Sequence, residues 1–160
     1  MGKTGKLTLT FPSLWQYDCQ SSGDAAFPGV ALRFGPQSGS NFVVMVSTLS
    51  TNKGVGSIGP SQMMNIVSTE CASRAVDKPV VQHLNGAETS GYYFSMANKN
   101  YGNKERKKRV AYRYEMQGIV NMDDFCLAFA VLHNYQDSGE DKETLEMIQS
   151  AHFSRTEENR

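Results

Sequence analysis

The stretch 109–132, RVAYRYEMQGIVNMDDFCLAFAVL, limits the architecture of this chain more than any other. Val110, Tyr112, Tyr114 and Met116 share one face of its first half, and Ala111, Arg113, Glu115 and Gln117 share the other. That period of two is the signature of a half-buried strand. Asn121, Met122, Asp123 and Asp124 follow, a group rich in side chains that bond the local backbone, and they predict a turn. Residues 125–132 are apolar at every second position on both faces, as in a strand covered from both sides. The expectation is a long hairpin whose second strand lies in the middle of a sheet.

The rest of the chain arranges itself around that hairpin. Residues 6–14, KLTLTFPSL, alternate as a strand that Pro12 ends, and 16–29 read as a polar loop. Residues 30–34 and 41–50 predict a second hairpin across the turn 35–40. A loop follows at 51–60. Ser61 is then the expected N-cap of a helix in which Met63, Val67, Cys71 and Ala75 recur every four residues, and Pro79 ends it. Residues 80–84 and 89–98 predict strands about the turn signal Asn85-Gly86. A last helix, capped by Ser138 or Asp141, lines up Leu145, Ile148 and His152, with Met147 and Ala151 extending its apolar side. The order is β, ββ, α, ββ, ββ, α, which predicts an α+β fold with a mostly antiparallel sheet and two main helices in a single domain, core about 6–155.

Composition narrows the chemistry. The 160 residues carry 16 Lys and Arg against 16 Asp and Glu, so no whole-protein field draws in nucleic acid or an anionic membrane. No run approaches the roughly 20 apolar residues of a spanning helix. The opening MGKTGKLTLTF has no signal-type apolar core, which fits the cytosol, or export after removal of a leader. Cys71 and Cys126 read as core thiols and Cys19 as an exposed one; one disulfide among the three stays open. His83, His133 and His152 lie far apart and form no zinc-ligand pattern. Gly54, Gly56 and Gly59 match the spacing of a phosphate loop, but Pro60 comes directly after them and no acidic residue follows at a strand end, so a plain loop is expected. Asp123 and Asp124 offer too few oxygens for calcium. No catalytic residue, cofactor or metal is assigned.

One charged segment stands apart. Lys104, Arg106, Lys107, Lys108, Arg109 and Arg113, with Tyr101 and Tyr112 nearby, form a basic and aromatic stretch in which Glu105 is the only acid. Such a stretch holds a phosphate backbone or an acidic protein, or else keeps a sheet rim soluble.

Several local stretches carry a family likeness: LTLTFPSLW at 7–15, the ALRF and NFVVMVS strands, SGYYFSM at 90–96, the YRYEMQGIV…FCLAFAVL hairpin, and EMIQSAHF at 146–153. Together with the element order, they resemble the PsbP/Mog-like superfamily, which includes DcrB-type bacterial proteins. The resemblance implies an α/β/α sandwich about an antiparallel sheet, and assembly factors, chaperones or adaptors rather than enzymes. The basic insertion 104–109 is particular to this chain. The first expectation is therefore a non-enzymatic module that recognises another protein through its sheet face or rim, with a homodimer open. The second is an anion or nucleic-acid binder using 104–113. A third places an enzymatic cleft beside Asp123 and Asp124.

Overall fold

The computed structural model describes residues 5–21, 30–39, 41–49, 58–78, 80–102, 112–122, 125–136 and 138–155. Nine strands and two helices follow in the order β1 (Gly5–Thr8), β2 (Trp15–Ser21), β3 (Val30–Pro36), β4 (Phe42–Leu49), α1 (Pro60–Ala72), β5 (Gln82–Asn85), β6 (Ser90–Ala97), β7 (Tyr114–Met122), β8 (Phe125–His133), α2 (Gly139–Gln149) and β9 (His152–Arg155). Seven strands form one sheet in the order β2-β3-β4-β8-β7-β6-β5, and β1 pairs with β9 in a sheet of two. Every pairing among these strands is antiparallel.

The predicted hairpin is β7 and β8, in register from Met122↔Phe125 to Tyr114↔His133. β8 is the fourth of the seven strands, as its two apolar faces imply. β7 departs from the expected half-buried strand, because Glu115 is only 3% exposed on the face read as polar. The reason is tertiary, since α1 lies over β6 and β7 on that side.

Alternation along these strands serves two cores. Met116, Val120, Leu127, Phe129 and Val131 join Met147 and Ile148 of α2 in one. Ile119, Phe94 and Met96 join Met63, Val67 and Cys71 of α1 in the other. Gly118 sits opposite Phe129, whose ring edge lies where a side chain at 118 would begin, so the aromatic fills the gap in β7.

Five local expectations need correction. Residues 16–21 form strand β2 rather than loop; every residue from Gln16 to Gln20 is exposed, so no burial pattern marks them. The first strand is only Gly5–Thr8 and leaves the main sheet, because Leu7 finds its partner in Phe153. α2 stops at Gln149, and His152 opens β9 instead of continuing the helical stripe. α1 begins two residues early: Gly59 is the N-cap in place of Ser61, and Pro60 takes N1, where its missing N–H costs no helical bond. α1 also ends at Ala72, and Ala75 bridges to Asn98.

Candidate functional site

The site is built from the sheet face that carries α1. Strands lie about 4.8 Å apart and a helix is about 10 Å wide, so one helix covers about two strands. α1 covers β6 and β7. Beyond it, a row of cross-strand partners runs Phe94, Gln117, Ala130, Met45, Arg33 and Asp18. A second row runs Tyr92, Ile119, Ala128, Ser47, Ala31 and Gln20. Where these rows leave α1, they form the floor of a groove of about 500 Å³. Ala128 and Ala130 make the floor low, while Met45 and Leu49 of β4 and Ile66 of α1 line it. Met45 and Ile66 remain 41% and 36% exposed, so two large apolar side chains border the groove in water.

The position of α1 is set at both ends. Before it, the Asn121 amide of β7 donates from Nδ2 to the Ile58 carbonyl (2.7 Å), and its Oδ1 accepts from the Ile58 N–H (3.0 Å). Cys126 Sγ donates to the same Oδ1 at 2.9 Å. Past its C-terminus, Arg74 reaches down to β7. Its Nη1 donates to Glu115 Oε1 at 2.7 Å and its Nη2 to Gln117 Oε1 at 2.8 Å. Asn98 Nδ2 donates to Glu115 Oε2 at 3.3 Å, and Gln117 Nε2 donates to Glu115 Oε1. Burial pushes the Glu115 carboxyl above its ordinary 4.5, against the opposing pull of Arg74 and Asn98. Gln117 and Glu70 are the polar end of the groove, and Glu70 pairs with Arg74 at 3.4 Å. Burial likewise raises the Cys71 thiol to about 11, which fits a core thiol.

The groove is apolar with a charge on each flank: Glu70 on the α1 side, and Arg33, exposed beside Met45, on the β3 side. It holds no nucleophile–base pair. Among the described residues, no group of three or more His, Cys, Asp or Glu is placed to hold a metal ion.

Lys104, Arg106, Lys107, Lys108 and Arg109 fall outside the described residues, as do Asp123, Asp124, Gly54 and Gly56. Tyr101 is exposed and Tyr112 half-buried. The Arg113 guanidinium stands 5.4 Å over the Tyr114 ring, and its backbone N–H donates to Asn134 Oδ1 at 3.0 Å. Reading the sequence alone missed the groove residues; their only signal is the pair of alanines in a strand otherwise made of large apolar side chains.

The three histidines each have their own partners. His83 packs on Tyr92, and His152 Nδ1 lies 2.6 Å from Glu88 Oε1. His133, 3% exposed, stacks on Tyr114 and joins β8 to the first turn of α2. Its Nδ1 is 2.6 Å from the Tyr135 carbonyl oxygen and its Nε2 3.0 Å from Asp141 Oδ1. Burial disfavours the imidazolium, but Asp141 and the Tyr135 carbonyl outweigh it and hold the pKa above 6.5. A raised histidine pKa stabilises the fold fully below the unfolded value and loses that contribution as pH rises through the folded value. Wild-type urea midpoints should therefore fall as pH rises from 6.5, and His133→Gln should lack that part of the fall. Equal slopes for the two proteins would refute the assignment.

No helix among the described residues is long and apolar enough to cross a membrane. No family model matches this chain, and neither a curated protein nor a solved structure matches it.

Proposed function

We propose that this chain is a non-enzymatic binding module that receives an apolar segment of a partner protein in the groove between α1 and β4. The observation that carries the reading is the pair of exposed side chains, Met45 and Ile66, beside a floor of small residues. Exposed apolar surface gathered in a concave place and rimmed by charge marks an interaction site. The flanks select the segment: a basic group on it meets Glu70, and an acidic group meets Arg33. Charges placed in this way act on specificity and encounter more than on raw affinity.

The layering proposed for the fold is the α/β/α sandwich of the PsbP/Mog-like resemblance. It is supported by α1 and α2 each feeding a separate core on alternate residues of β7 and β8. In that arrangement α1 leaves half of its face open. The adaptor or assembly role implied by the resemblance agrees with a site that has no reacting groups.

A photo-crosslinking residue tests this directly. Placed at 45 or 66, it should yield one discrete protein adduct in cells of the source organism. Placed at Lys142, which is exposed on α2, it should yield none. Adducts of equal yield from all three positions, or none from any, would end the reading. With the partner purified, Met45→Glu should weaken binding about tenfold or more, as the loss of a hot-spot side chain does.

A further inference from the structure

The two edges of the main sheet are treated differently. β5 is four residues long, and α2 guards it: Gln149 Nε2 donates to the Asn85 carbonyl at 2.8 Å. β2 is seven residues long, and among the described strands it pairs with β3 alone. Gln16, Tyr17, Asp18, Cys19 and Gln20 are exposed on both faces of it. The strand has no proline and no lysine, and Asp18 is its only charge. Edges left single in solution are usually shortened, covered or given lysine or proline. β5 follows that rule and β2 does not.

We propose that β2 is the contact by which two copies of this chain associate, the strands pairing antiparallel across a two-fold axis normal to the sheet. Such an axis keeps each side chain on its own face, so a residue meets one at an even separation. Asp18 on the axis is excluded, because two carboxylates would oppose each other. With Cys19 on the axis, Asp18 meets Gln20 of the second copy, and the reverse. With Tyr17 on the axis, Asp18 meets Gln16. Both registers set a carboxylate against an amide donor, and Gln20 Nε2 already donates to Asp18 Oδ2 within one strand at 3.4 Å. The strand is thus complementary to itself, as a two-fold contact requires. Two short strands bury an area at the low end of specific interfaces, so the association is weak and depends on concentration.

Sedimentation velocity on the full chain across the micromolar range tests the proposal. The wild type should move from monomer toward dimer as concentration rises. A chain with Gln16→Lys, Asp18→Lys and Gln20→Lys should stay monomeric, and so should one with Gln16→Glu, Asp18→Glu and Gln20→Glu. An equimolar mixture should recover the dimer, since each register then sets Lys against Glu. A monomeric wild type, a dimer that survives in both charged chains, or a mixture that stays monomeric would each overturn it. Hydrogen exchange of the wild type is a second reading independent of the variants. Amides of β2 should gain protection with concentration while those of β5 do not, and equal behaviour at both edges would count against the contact.

Discussion

Changing Arg74 to methionine is expected to lower stability at pH 7 by about 3 kcal/mol, because it leaves the Glu115 carboxylate buried with its counter-charge removed. The lower end of the range for a broken buried pair applies, since the Arg74 side chain is 29% exposed and water can partly replace it. The pH dependence has a definite sign. Glu115 already titrates above 4.5, and losing Arg74 moves it higher. A carboxyl with a raised folded pKa binds its proton in the native state first, so stability falls as pH rises from 4.5 through the folded value. The deficit of the variant should therefore be largest at neutral pH and shrink on acidification toward 4.5. Adding Glu115→Gln should recover at least half of the loss, because the amide keeps its hydrogen-bonding shape without the charge. Urea unfolding of the wild type and the two variants at pH 7 and 5 decides the matter. A deficit that does not change with pH and is not relieved by Glu115→Gln would show that the pair is not the cause.

Phe94→Ala should cost about 3–5 kcal/mol, the range for truncating a buried aromatic whose surroundings cannot collapse. Phe94 is 1% exposed and lies under α1 with Met63 and Val67. Its backbone is held on one side by β7, so the strand cannot move in to fill the space. The same ring closes the inner wall of the groove, and its loss should also deepen the groove toward α1. A loss below about 1 kcal/mol by denaturant titration would mean that α1 settles onto the sheet and that the wall is soft.

The central hairpin was legible because its evidence is local. Period-two spacing in β7, polar turn residues and a strand apolar on both faces lie within one run of sequence. β2 was not legible for the opposite reason: an edge strand exposed on both faces has no burial pattern, and Gln16 to Gln20 look like loop. β9 was absorbed into α2 because His152 falls four residues after Ile148, while its real partner, β1, lies near the other end of the chain. Glu115 looked like a solvent-facing carboxylate in alternation, and its burial follows from α1 above it and from Arg74, 41 residues earlier, which pairs with it. The groove was hidden most deeply. Ala128 and Ala130 read as interior residues of a central strand, and nothing in their neighbourhood tells that α1 stops short of them.

The order of the strands has a consequence for how the chain reaches this state. β2-β3-β4 and β5-β6-β7-β8 are each made of neighbours in sequence, so either group can collapse by closing short loops. Among the described strands they join where β4 pairs with β8, a seam that closes the long segment containing α1 and three strands. Loops of that length carry the larger entropic cost and set the pace of folding in sheet proteins. Met45 against Ala130 and Ser47 against Ala128 lie across this seam, and all four line the groove. The groove therefore exists only in chains whose two halves have met. Under the proposed function, a segment seated there would bind the joined sheet and not its separate halves, and by mass action it would favour the joined state.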